Sequence, residues 1–144
     1  MKIGTRTRYG LRTLLEIAMS DNSRGVFQKD IAVSQGLSNK YLDHIVHALK
    51  TSGLIVNVKG KKSGYRLSRA PAEITIFDVH QAFEPDICLV ECLGNNYQCD
   101  RTEHCLAQGF WKDFNLTIVQ YMKSVSLLDL VHKHNPAQVV NEVV

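Results

Sequence analysis

The sequence predicts a mainly α-helical fold with one small β-hairpin and a long helix near its C-terminal end. Three observations carry this. Apolar residues recur every three to four positions through most of the chain, the period of an α-helix packed on one side. Residues 54–67 break that rhythm: LIVNVK and YRL flank the turn GKKSG, a strand–turn–strand pattern. From Leu106 to Val125 an apolar stripe runs with nothing worse than Gly109 to interrupt it.

The elements follow in order. In residues 5–20, Tyr9, Leu11, Leu14, Leu15 and Ala18 keep helical spacing, with Arg6, Arg8 and Arg12 in the first half. Turn residues at 21–25 end that helix. Residues 28–35 form a second, short helix with Ile31, Ala32 and Val33 inward. A tight turn at 36–38 leads to Ser38, whose hydroxyl can cap the third helix, 39–52, before Gly53 stops it. The hairpin comes next, its tip carrying Lys59, Lys61 and Lys62. Thr75 caps a short helix over 76–82, and Pro85 closes it. After a polar loop, the long helix presents Leu106, Phe110, Phe114, Ile118, Tyr121 or Met122, and Val125 on one side. Ser126 caps a last helix, 127–134, ended by Asn135 and Pro136.

Three helices followed by a two-stranded hairpin make a winged helix-turn-helix. Residues 1–70 form that module, 71–105 a connector helix and polar loop, 106–134 a long helix whose apolar stripe suits a core or a dimer interface and a final helix, and 135–144 a tail. The third helix of such a module enters the major groove. Its inward side here is Leu42, Ile45, Val46 and Leu49. Its outward side is Lys40, Asp43, His44, His47 and Lys50. Asn39 and Lys40 stand at the end that reaches base edges, where Asn can pair with adenine and Lys with guanine. Asp43 repels phosphate, so it suits a role as acceptor from cytosine N4 or as a penalty on wrong sequences. The wing lysines suit phosphates or a minor groove.

Charge supports a polyanionic partner. Residues 1–70 hold 13 Lys/Arg against 4 Asp/Glu, a net of +9, and residues 71–144 hold 4 against 10, a net of −6. A basic half favours double-stranded DNA. No apolar run approaches a membrane span, and the first ten residues lack a signal core, so the expected location is the cytoplasm.

All four cysteines, Cys88, Cys92, Cys99 and Cys105, fall within 18 residues of a polar loop. That loop has almost nothing apolar to order it, and clustered thiolates suit zinc or an iron–sulfur cluster. In a reducing compartment metal binding or redox sensing outranks structural disulfides. An enzyme is not expected: no C-x-x-C pair and no phosphate-cradling glycine loop is present, and the histidines are scattered.

Arg8-Tyr9, Leu37-Ser38 before Tyr41-Leu42, Gly53-Leu54 and the string from Lys59 to Leu67 together resemble the Rrf2 family of bacterial winged-helix transcription regulators. The cysteine triad, then Cys105-Leu106-Ala107 and Phe110-Trp111-Lys112-Asp113, resemble its iron–sulfur branch, with the IscR type nearest and the NsrR and RirA types as relatives. The resemblance spans residues 1–134. It implies a homodimer joined through the long helix, reading a near-palindromic operator as a repressor or activator. It implies Cys92, Cys99 and Cys105 as ligands of a [2Fe-2S] or [4Fe-4S] cluster that reports iron, redox or nitric-oxide stress. It implies Ser38, Asn39, Lys40, Asp43 and the wing lysines as DNA contacts.

The chain departs from the pattern in two places. Six residues separate Cys92 from Cys99, where five are usual, and Gln108 stands where IscR-type members carry a histidine ligand. An acidic ligand of the NsrR type is replaced by Arg8. Cys88, His104, Glu91, Asp100 or a group from a partner subunit are the alternatives for a fourth ligand. Two other readings keep the fold: zinc or thiol–disulfide sensing, and a cluster-free regulatory partner of a metabolic enzyme.

Overall fold

The computed structural model describes residues 2–94 and 98–134, so the expected tail and the centre of the cysteine loop lie outside the described residues. Six helices and one hairpin follow in chain order: α1 (Thr5–Met19), α2 (Gln28–Gln35), α3 (Asn39–Thr51), β1 (Ile55–Asn57), β2 (Tyr65–Leu67), α4 (Ile76–Phe83), α5 (Gln108–Ser124) and α6 (Leu127–His134). This is the winged helix-turn-helix architecture with a long helix after it. None of the described helices is long and apolar enough to cross a membrane.

Side-chain caps set three helix starts. Ser38 Oγ accepts from the Tyr41 amide at 3.1 Å and opens α3. Thr75 and Asp78 cap α4 reciprocally: Thr75 Oγ1 accepts from the Asp78 amide, and Asp78 Oδ2 accepts from the Thr75 amide. Ser126 and Asp129 repeat the device at α6, and those hydrogen bonds, chiefly from the Ser126 backbone, hold the Asp129 carboxyl below its ordinary range. Gly36 and Gly53 take left-handed backbone one residue past α2 and two past α3 (φ 65° and 76°), which ends each helix. Ser38→Ala is expected to cost about 1 kcal/mol of stability, because one amide of the α3 first turn loses its acceptor. Chemical denaturation of the two proteins checks this.

The hairpin pairs Ile55 with Leu67, Val56 with Arg66 and Asn57 with Tyr65. A third segment joins it. Val26 and Tyr65 exchange both backbone hydrogen bonds at 2.9 Å, so the wing is pinned to the residues that lead into α2. Gly64 makes the approach possible, since a Cβ there would sit 2.3 Å from the Val26 carbonyl oxygen.

One core serves the described structure. Leu14, Ile17, Ile31, Leu42, Ile45, Leu49 and Ile55 from the winged module are buried together with Ile74, Val79 and Leu127. Helices α1 and α4 cross closely at buried Gly10, where a Cβ would lie 2.2 Å from the Phe83 ring. Glu84, just past α4, ties the chain start to this crossing: its Oε1 accepts from the Gly4 amide at 2.6 Å, and its Oε2 meets buried His80 Nε2 at 2.8 Å.

Two details differ from the sequence pattern. Val33 is 84% exposed rather than inward. At 3.6 residues per turn it lies about 200° around α2 from Ile31, so the face that buries Ile31 and Ala32 turns it out. The long helix begins at Gln108, not 106, and Leu106 is fully exposed in the turns before it. Ala107 is the residue before its first turn and makes no side-chain capping bond.

Candidate nucleic-acid interface and cysteine loop

The core fixes which side of α3 is free. Leu42, Ile45, Val46 and Leu49 are buried, and Asn39, Lys40, Asp43, His44, His47 and Lys50 are exposed on the other side. The wing stands beside this face with Lys59, Lys61 and Lys62 exposed at its tip. Lys62 takes a positive φ of 53°, and Ser63 Oγ donates to the Val58 and Gly60 carbonyls, which shapes the tip. Ser38 is exposed at the start of the same helix, its oxygen engaged in the cap and its hydroxyl proton free to donate. A cationic edge thus surrounds a recognition face of mixed donors and acceptors, the arrangement that suits phosphates outside and base edges inside.

Behind the face, Tyr9 and Tyr41 meet edge to face at 6.0 Å, and Arg12 sits over Tyr9 at 5.1 Å. This stack joins α1 to the first turn of α3. A second junction centres on Gln28, the first residue of α2. Its side-chain amide donates to the Asp43 carboxylate and to the Asn39 carbonyl at 3.5 Å, and its oxygen accepts from the Tyr65 hydroxyl at 3.4 Å. Burial, then the nearby Asp43 charge, pushes the Tyr65 phenol above its ordinary range, so it remains a donor. Lys50 lies over the same ring at 5.8 Å. Sequence reasoning did not find Gln28, because its partners lie 11, 15 and 37 positions away and leave no local pattern.

The cysteine loop is built from short turns. Cys92 lies in the 3-10 turn Glu91–Leu93, and Cys99 accepts from the Thr102 amide and hydroxyl through its carbonyl. All four thiols are free, with Cys88 and Cys105 exposed and Cys92 and Cys99 half-buried. Cys88 Sγ donates to the Val90 carbonyl at 3.0 Å. His104 is exposed. Among the described residues, no three His, Cys, Asp or Glu side chains are gathered to hold a metal ion. The donor set nevertheless fits an iron–sulfur cluster in its chemistry: four cysteines, none in a disulfide, whose sulfurs are the soft donors that iron prefers.

Helix α5 grips the near arm of this loop. Asn115 donates to the Ile87 carbonyl at 3.0 Å and accepts from the Leu89 amide at 2.9 Å. Cys92 borders a cleft of about 500 Å³ between loop and helix, lined also by Lys112, Asn115, Leu116 and Val119. Helix α5 also carries exposed apolar residues: Phe110 is 60% exposed, and Phe114, Tyr121 and the cleft residue Leu116 are exposed too. No residue of α5 is buried. Phe110 and Phe114 stack at 5.7 Å, the start of an apolar stripe that continues toward Tyr121.

Comparison with known proteins points one way. The family model described as Rrf2, an iron-dependent transcriptional regulator, matches residues 3–133. Protein rrf2 of Nitratidesulfovibrio vulgaris is 37% identical over 131 residues, covering 91% of this chain and 87% of that protein. The HTH-type transcriptional regulator IscR of Photorhabdus laumondii is 29% identical, covering 92% and 80%. Among solved structures, T. potens IscR superposes with a TM-score of 0.73 at 26% identity, covering 96% of this chain and 91% of that one. CymR, the global cysteine regulator of B. subtilis, superposes with a TM-score of 0.74 at 28% identity, covering 90% and 95%.

Proposed function

The chain belongs to the Rrf2 family of winged-helix transcription regulators, and on that premise we propose that it is a cytoplasmic homodimer whose DNA binding responds to an iron–sulfur cluster in its cysteine loop. It is a DNA-binding transcription regulator and not an enzyme. The observation that carries the sensing role is one of place. Free thiols lie on the segment that runs into α5, and Asn115 of α5 holds the near arm of that segment.

Cys92, Cys99 and Cys105 would hold the cluster, [2Fe-2S] or [4Fe-4S], with Cys88 or His104 as fourth ligand. When bound, the cluster supplies a redox-active centre that iron limitation, oxidants or nitric oxide can alter. The chain's own residues do the rest. The loop has little apolar side chain of its own, so its order depends on what its thiols bind. Asn115 passes that order to α5. The exposed apolar stripe of α5 pairs with a second copy and sets the distance between two recognition helices. Asn39, Lys40, Asp43 and His47 face the bases of each half-site, with Ser38 and the wing lysines on phosphates. A near-palindromic operator follows from the two-fold symmetry, and repression follows where it overlaps a promoter. The similarity to IscR proteins supports this reading.

The test is an absorption spectrum of protein purified without oxygen, with iron and acid-labile sulfide assayed on the same sample. Visible thiolate-to-iron bands with matching iron and sulfide are expected, with operator affinity differing between loaded and stripped protein. Equal affinity in the two states would overturn the sensing role. Cys92→Ala is expected to lose iron and sulfide while the winged module keeps its stability within about 0.5 kcal/mol, as at other positions outside a core.

A second reading is favoured by the thiols being free and ungathered, and by the similarity to CymR. Here the thiols bind zinc or form a reversible disulfide, or the protein acts with a metabolic enzyme. A colourless protein containing zinc, or losing two titratable thiols on mild oxidation, supports it over the first.

A further inference from the structure

We infer that Gln28 is a specificity-positioning residue: it holds the Asp43 carboxylate in one orientation on the recognition helix and couples that orientation to the wing. The inference rests on the reading of Asp43 as a base contact.

The hydrogen-bond directions around Gln28 are mutually consistent. Its side chain offers two N–H donors and one carbonyl acceptor. One neighbour, the Tyr65 hydroxyl, donates to the carbonyl, and the two acceptors, Asp43 Oδ1 and the Asn39 carbonyl, lie at the nitrogen. Flipping the amide would set its oxygen against a carboxylate and a carbonyl, so only one orientation satisfies all three partners. Those partners come from three pieces of the reading head: Asn39 from the α3 first turn, Asp43 from its second turn, and Tyr65 from β2. The Tyr65 backbone is itself pinned to Val26, two residues before Gln28.

An unheld carboxylate on an exposed helix face samples several rotamers and meets any nearby donor. With Oδ1 engaged by Gln28, Asp43 presents its other oxygen from a fixed place. A fixed acceptor rewards one donor on one base edge, such as cytosine N4, and leaves others unpaired. Holding a charged side chain in advance also spares its ordering on binding. Gln28 is therefore placed to sharpen base preference without touching DNA.

The experiment measures base preference at each operator position, using a randomised-operator selection on the full-length protein. Gln28→Leu, Asp43→Ala and the double variant are compared with the parent, and thermal unfolding confirms that each folds. Gln28→Leu is expected to lower preference roughly tenfold at one base pair per half-site, the scale of one good base contact. Binding to non-specific DNA and its salt dependence should stay unchanged, because no phosphate contact is lost. In the Asp43→Ala background Gln28→Leu should have no further effect. Tyr65→Phe, which removes the hydroxyl that orients the amide, should reproduce part of the loss. If Asp43→Ala changes the preference and Gln28→Leu does not, the positioning role is wrong and the Asp43 contact stands. If Asp43→Ala leaves the preference unchanged, the base-contact reading fails and the inference with it.

Discussion

Phe110→Asp is expected to turn the proposed dimer into a monomer and to weaken binding to a two-half-site operator by roughly 10² to 10⁴-fold. Within one chain Phe110 is 60% exposed, and among the described residues its ring contacts are with its helix neighbours Phe114 and Trp111. Its replacement therefore removes nothing from the core that supports the winged module. In a dimer paired along α5, the same side chain would be buried, and a carboxylate there would lose its water without gaining a partner. The monomer keeps each reading head intact but must bind each half-site separately, so the loss falls on avidity. Light scattering should give the mass of one chain, and titration with a single half-site should give the parent's affinity. A Phe110→Asp protein that remained a dimer would remove α5 from the interface.

Gly10→Val is expected to destabilise the fold by about 3 kcal/mol, the upper range for overpacking a well-filled site. Glycine in a helix interior is ordinarily a cost of up to about 1 kcal/mol relative to alanine, and its replacement ordinarily helps. Here the added Cβ would lie 2.2 Å from the Phe83 ring, and Phe83 is packed against the core. Steric conflict outweighs helix propensity, so the sign reverses. Phe83→Ala makes room at its own cost, so the double variant should be more stable than the two separate losses predict. Urea unfolding of the four proteins measures that coupling. Independent, additive losses would mean that α1 and α4 do not meet closely at this point.

The sequence was most legible where one residue acts on its own neighbourhood. Ser38, Thr75 and Ser126 each stand one residue before a helix, and the structure uses each as a cap. The alternation of buried and exposed positions along α3 follows the pattern read from residues 39–52. The hairpin lies where strand-forming residues flank a lysine-rich turn. Legibility failed where the determinant lies far along the chain. Nothing local marks Val26 as a third partner of the wing, because a single bridged residue has no period. Asn115 reads as an ordinary polar residue in a helix until the backbone at 87–89 arrives beside it. The cysteines are visible as a set, but periodicity says nothing of how turns arrange four sulfurs, and among the described residues no three of them are gathered.

The grip of Asn115 on the loop has an observable consequence. The Leu89 amide has an acceptor only through that side chain among the hydrogen bonds described, so its proton exchanges with solvent when the loop arm lifts from α5. Its exchange rate is a clock for that opening, set by the free energy that holds the arm down. A ligand that orders the loop slows the clock, and one that strains it speeds it up. This single proton thus reports, without any DNA present, whether events at the thiols are felt by the helix.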